Sequence, residues 1–153
     1  MPVIDPDGQA ERAAALFGAG DYLCAEAVLL TLAEAAELGG SCLPRIATGF
    51  CSGLSRTCGP CGAVTGAVMA IGLALGRTAP KGDLDPAYAA VNEFIEGFTG
   101  RHGSIDCQAL LGGIDLGEPE GQARYRAEDG RARCQEFIRS AVRLALPVLR
   151  AGG

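Results

Sequence analysis

Apolar residues recur along most of this chain with a period close to 3.6, the spacing that gives a helix one buried face. In "GQAERAAALFGAG", residues 8–20, Ala13, Leu16 and Phe17 share a face, and glycines punctuate the segment. "DYLCAEAVLLTLAEAAELGG", residues 21–40, carries a longer stripe through Leu23, Ala27, Leu30, Ala33 and Leu38. Asp21 is suited to its N-cap, and Gly39 and Gly40 stop it. Residues 41–56 predict a short helix followed by a Gly-containing loop. "GPCGAVTGAVMAIGLALGR", residues 59–77, is the most apolar stretch and reads as a buried core helix, with Pro60 in its first turn and Gly76 near its end. Tyr88, Val91, Phe94, Ile95 and Phe98 make residues 83–100 amphipathic. Ser104 caps a short helix over residues 104–113, and residues 131–150 form the last helix, its end perturbed by Pro147. Residues 114–129 are polar and carry no periodic pattern. No strand alternation of comparable quality and no repeat period stands out. The expectation is an all-α chain: a single domain over residues 1–153, a bundle of about five to seven helices around a central Gly/Ala-rich helix.

Composition sharpens this picture. A chain of 153 residues can bury one real core and is too short for two ordinary domains. Aromatics make up only 5% of it against 48% hydrophobic residues, with no Trp, so Ala, Leu, Val and Ile must build the core with glycines allowing close approach. Gly62, Gly66 and Ala70 stand at four-residue spacing and clear the bulk from one helical face. That face permits a tight crossing within the chain or between copies, and a homodimer through such faces is expected. The net charge of −5, a single lysine at Lys81 and dispersed arginines leave no basic stripe, which argues against a nucleic-acid partner. "MPVIDPDGQAER" has neither the basic nor the apolar region of a targeting segment. The apolar run over residues 62–76 falls short of the roughly 18–20 residues that span a bilayer. No membrane association and a cytoplasmic location are therefore expected.

Seven cysteines change the question from fold to chemistry. In the cytoplasm structural disulfides are rare, so such a number points to metal or redox chemistry, and an odd count forbids complete pairing within one chain. Cys24 follows Asp21 by three residues, Cys107 follows Ser104 by three, and Cys61 follows Pro60 directly. All three are thus expected at helix N-termini, where unpaired N–H groups and the helix dipole favour negative charge and lower a thiol pKa. Cys134 lies near the start of the last helix. A single helical cysteine is ordinarily a packing residue; repetition of the same placement argues for a shared role.

"TCGPCGAVTG", residues 57–66, holds the C-x-x-C of a redox dithiol, in which Cys58 would attack as thiolate and Cys61 would resolve the mixed disulfide. No strand, tryptophan or βαβ unit precedes it, which excludes a thioredoxin fold and leaves dithiol chemistry open. His102, the lone histidine, reads as a residue at a helix end. Asp83, Asp85, Glu118 and Glu120 read as solvated turns and caps. Arg56, just ahead of Cys58, is either a surface arginine or a cation that keeps nearby thiolates charged. There is no phosphate loop and no Ser–His pair.

From about residue 10 to about residue 145 the chain resembles the C_GCAxxG_C_C family of redox-active proteins. The resemblance rests on "LCAEAVLL" with Cys24, "GFCSGLSRTCGPCGAVTGAVMAIGL" with Cys61, "SIDCQALLG" with Cys107, and Cys134 in the last helix. It implies that Cys24, Cys61, Cys107 and Cys134 act together. Similar domains occur in split-Soret-type cytochromes, where the resemblance implies an iron–sulfur centre. The chain has no C-x-x-C-H and so no attachment site for a c-type haem. Relatives often carry a glycine-rich stretch where this chain reads "GFCSGLSRTCGPC". Cys51 and Cys58 are additional here, as is Cys42 upstream, and any of them would be able to replace a family ligand or build a second site.

Three functions compete. The first is an iron–sulfur cluster, [2Fe–2S] or [4Fe–4S], bound by Cys24, Cys61, Cys107 and Cys134, for electron transfer or redox sensing with a redox partner protein. The second is a thiol–disulfide oxidoreductase using Cys58 and Cys61, with Cys24, Cys107 or Cys134 as further partners. The third is a non-catalytic zinc-binding or interaction domain, although zinc sites ordinarily use two closely spaced cysteine pairs and this chain has one. The cluster is the leading expectation. Its ligand spacing matches neither common ferredoxin signature, so the set can assemble only in the fold.

Overall fold

The computed structural model describes residues 4–151. Among them the chain forms helices α1 (Pro6–Gly18), α2 (Cys24–Ala35), α3 (Leu43–Thr48), α4 (Cys51–Arg56), α5 (Gly62–Leu75), α6 (Asp85–His102), α7 (Cys107–Leu110), α8 (Pro119–Ala127) and α9 (Gly130–Ala151). The all-α expectation holds. No strand is present among the described residues, only an isolated antiparallel bridge between Pro60 and Asp106. The helices outnumber the expected five to seven because short turns separate as elements and because α8 rises from the polar segment 114–129. Pro119 in the first turn of α8, Glu120 beside it and an Arg124–Glu128 pair at 3.2 Å support that helix locally. It buries only Gly121, so it leaves no apolar stripe to read.

Four helices, α1, α2, α5 and α9, make the core around small side chains. Ala10, Ala13 and Ala14 of α1, Ala25, Val28 and Leu29 of α2, Ala63 and Ala67 of α5, and Ile138, Ala141 and Ala145 of α9 are all buried. Phe94 and Phe98 close one side from α6. Arg139 to Glu11 at 2.9 Å and Arg143 to Asp7 at 2.8 Å tie α9 to α1 at the surface. Pro147 does not end α9, which continues through it to Ala151.

α5 crosses α2 closely. A Cβ at Gly66 would stand 2.6 Å from the Ala25 carbonyl oxygen, and one at Gly62 would overlap Cys24 Sγ. The Gly62/Gly66/Ala70 face is therefore occupied within the chain. It does not offer the surface on which a homodimer was expected, and a dimer would need another face.

Between α3 and α5 the backbone reverses hand. Ser52, Gly53, Leu54 and Ser55 have φ of 56°, 62°, 54° and 58°, and Arg56 follows at 68°. A left-handed turn costs L-residues about 1–2 kcal/mol each, so the surroundings must hold it. Gly53 carbonyl accepts from Gly59 N–H at 3.0 Å, and Ser55 Oγ donates to the Gly49 carbonyl at 2.7 Å. Cys107 N–H donates to Gly59 carbonyl at 3.0 Å, and Cys61 N–H to Ile105 carbonyl at 2.7 Å, pinning the segment beside α7. Among the described residues no helix is long and apolar enough to cross a membrane.

Candidate functional site

Each of the four family-type cysteines is placed by a helix start. Cys24 is the first residue of α2, two positions nearer the helix start than the Asp21 cap implied; Leu23 is the N-cap, its N–H satisfied by Glu26 Oε1 at 2.9 Å. Cys61 is itself the N-cap of α5, and its carbonyl accepts from the N–H groups of Val64 and Thr65, both at 3.0 Å. Cys107 opens α7 behind Asp106, while Ser104 Oγ caps the preceding turn by accepting from Asp106 N–H at 3.0 Å. Cys134 lies in the first turns of α9. Arg133 reaches back from α9 to donate to the carbonyls of Leu110 and Leu111 at 3.1 and 3.3 Å, which fixes α7 against it.

These four residues line a single cavity of about 260 Å³. Gly53 and Gly62 complete the cradle: a Cβ at Gly53 would stand 2.5 Å from Cys107 Cβ, and one at Gly62 would occupy the place of Cys24 Sγ. Ser52 N–H donates to Cys24 Sγ at 3.4 Å, and Tyr125 hydroxyl donates to Cys134 Sγ at 3.4 Å. Arg56, Arg126 and Arg131 stand on the cavity wall. Arg131 lies over the Phe17 ring at 5.7 Å and donates to Gly18 carbonyl at 3.1 Å. On a chain of net charge −5 this is a local concentration of positive charge.

The electrostatics correct one expectation. Helix N-termini were expected to lower the thiol pKa values, but burial dominates. It pushes Cys61 up to about 12 from an ordinary 9.0, and the N–H groups of Ala63 and Val64 offset it only in part. Burial likewise pushes Cys107 up to about 12, with Cys134 and Cys58 adding to the effect. Burial also raises Cys134, while the Tyr125 hydroxyl, Arg133 and Arg131 pull it back. Without a cation, the thiols of Cys61, Cys107 and Cys134 are thus protonated at neutral pH.

The other cysteines stand outside the cavity lining. Cys42 is exposed at the start of α3. Cys58 is partly buried at a left-handed φ of 60°, and burial followed by the neighbouring Asp115 raises its pKa. Cys51 is only 2% exposed and donates to Ala47 carbonyl at 3.6 Å. All seven cysteines are free. His102, at the end of α6, packs against Phe98 and Phe137 at 4.6 and 5.2 Å and is not a cavity residue.

Sequence reasoning missed Tyr125, Arg126 and Arg131. The first two lie on α8, whose polar sequence carried no signal, and all three reach the site only through the docking of α8 and α9. Among the described residues, no three His, Cys, Asp or Glu side chains converge on a single-ion position.

Fold and site together define an all-α protein centred on cysteines. A family model described as "Putative redox-active protein (C_GCAxxG_C_C)" matches residues 22–147, and the chain belongs to that family. Its role is accordingly a cysteine-based redox role. No curated protein and no solved structure matches the chain.

Proposed function

We propose that Cys24, Cys61, Cys107 and Cys134 hold an iron–sulfur cluster, through which the protein passes single electrons to a partner or senses their supply. The observation that carries this reading is the meeting of four thiols, from four separate helix starts, around one cavity of about 260 Å³. Soft thiolates suit iron–sulfur clusters and zinc alike. A cavity of about 260 Å³ leaves room for a polynuclear group, and zinc sites ordinarily use two closely spaced cysteine pairs where this chain has one. When bound, a cluster supplies one-electron oxidation and reduction without a change of ligands.

The chain's own residues prepare the site for that load. The protonated thiols must lose their protons on binding, so uptake is coupled to proton release. Arg56, Arg126 and Arg131 offset the negative charge that four thiolates bring. Ser52 N–H and Tyr125 hydroxyl donate to two of the sulfurs, the kind of bond that raises a cluster's reduction potential. Phe17 and Leu116 on the wall limit water. The Cys58/Cys61 dithiol alternative lacks comparable support, since only Cys61 reaches the cavity.

The test is a visible absorption spectrum of anaerobically purified protein, with iron, sulfide and zinc counted on the same sample. Thiolate-to-iron bands near about 400 nm with matching iron and sulfide are expected. A protein that stays colourless and iron-free after anaerobic reconstitution would refute the reading, and stoichiometric zinc would replace it with a zinc site.

A further inference from the structure

Cys51 is a buried thiol for which the four-thiol cavity has no use, and its surroundings are specific. It lies at the entry to the left-handed turn, and the next residue, Ser52, donates its N–H to Cys24 Sγ at 3.4 Å. The Cys51 sulfur itself sits at the N-terminus of α2, against the N–H groups of Ala25 and Glu26, the two residues that follow Cys24. It donates to the Ala47 carbonyl at 3.6 Å on one side and is in side-chain hydrogen-bonding contact with the Cys24 thiol on the other. Both residues belong to the hydrophobic core, at 2% and 9% exposure, and only Cys24 also reaches the cavity. One sulfur of the pair is thus open to a small oxidant, and the other waits behind it.

We infer that Cys24 and Cys51 form a reversible disulfide under peroxide, which withdraws Cys24 from the four-thiol cavity. The Cys24 sulfur attacks hydrogen peroxide, the O–O bond breaks, and Cys24 becomes a sulfenic acid while the first water leaves with the thiol proton. The Cys51 sulfur then attacks the sulfenic sulfur; the S–S bond forms, the S–O bond breaks, and the second water carries away the Cys51 proton. Two thiols are oxidised by two electrons and one peroxide is reduced to two waters. A thiol reductant restores the pair by exchange. The effect on the cavity rests on the function proposed above, whereas the disulfide itself stands whatever the cavity binds. The arrangement makes a redox gate of a cysteine that the sequence marked as additional to its relatives.

The experiment treats the reduced full-length chain with stoichiometric hydrogen peroxide, quenches in acid, alkylates in denaturant and maps linked peptides by mass spectrometry. A predominant Cys24–Cys51 link is expected, reversed by dithiothreitol, lost in Cys51→Ala and retained in Cys42→Ser. Linkage of Cys24 to Cys61, Cys107 or Cys134, or full alkylation of Cys24 and Cys51, would overturn the proposal. The wild-type map decides even where Cys51→Ala does not fold. A colourless protein that still forms the link sinks the cluster and spares the disulfide; an iron-loaded protein that never forms it even after the iron is chelated does the reverse.

Discussion

The backbone N–H of Ser52 donates to Cys24 Sγ at 3.4 Å, across the junction of a left-handed turn and the first turn of α2. This contact joins the run of positive-φ backbone over residues 52–56 to the site. The turn brings Gly53 against Cys107 as well, so one short segment touches two of the four thiols.

Gly53→Ala tests that segment. The position has φ +62°, and a Cβ there would meet Cys107 Cβ at 2.5 Å. The backbone cost alone is about 1–2 kcal/mol, and the overlap moves Cys107. The expected result is a lower unfolding midpoint together with lost cofactor content. Unchanged iron content in a folded Gly53→Ala protein would contradict the close-approach argument.

Gly66→Ala separates packing from chemistry. Its Cβ would stand 2.6 Å from Ala25 carbonyl oxygen and 3.1 Å from Val28 Cβ, in the crossing of α5 over α2. Overpacking of this kind costs about 1–3 kcal/mol. Denaturant titration should show that loss; stability equal to the parent would mean α5 and α2 can part without penalty.

Tyr125→Phe removes the hydroxyl that donates to Cys134 Sγ. A net loss of about 1 kcal/mol or less in stability is expected, so the fold should survive. The Cys134 thiol should become harder to deprotonate, because the Tyr125 bond lowers its pKa. In the metal-free protein, the pH profile of Cys134 alkylation, read by peptide mass, should move to higher pH. A profile that stays put or moves down would remove Tyr125 from the site's chemistry.

The metal-free protein should lose stability in alkali. Cys61 and Cys107 titrate at about 12 in the fold against an ordinary 9.0. Below the unfolded value both states hold their protons, so the native state suffers no loss there. Between the two values the unfolded chain releases protons that the folded chain keeps, and stability falls as pH rises. Unfolding midpoints that stay flat from pH 8 to about pH 11 would contradict the burial of these thiols. Metal uptake should run the other way and weaken as pH falls, since protons compete for the sulfurs.

Cys61→Ser should abolish the iron content, because the residue is at once the N-cap of α5 and a wall of the cavity. Cys42→Ser should leave it intact, the residue being exposed and outside the lining. Iron counts on both variants check the pair. Loss of iron in Cys42→Ser, or its retention in Cys61→Ser, would show that the ligands are other cysteines.

The sequence by itself determined the helical character and the central Gly/Ala-rich helix, while the grouping of Cys24, Cys61, Cys107 and Cys134 came with the family resemblance. Helical periodicity is local, and a four-residue glycine spacing already implies a close helix crossing. What that face packs against was not legible: the stripe suits a second copy as well as α2, and only the packed chain shows Gly66 closed by Ala25. Handedness was hidden too, because Ser52, Leu54 and Ser55 have no intrinsic preference for a positive φ; the bonds around Gly53 and Gly59 impose it. The thiol pKa values were misjudged because a helix N-terminus acts locally whereas desolvation depends on everything packed over the sulfur. Tyr125 and Arg126 had no signal at all, lying on a helix that buries little and comes to the cavity through the docking of its neighbours. Cys51 shows the limit most directly. Its presence can be read from the chain, but its place behind Cys24 is decided by the turn that carries it there.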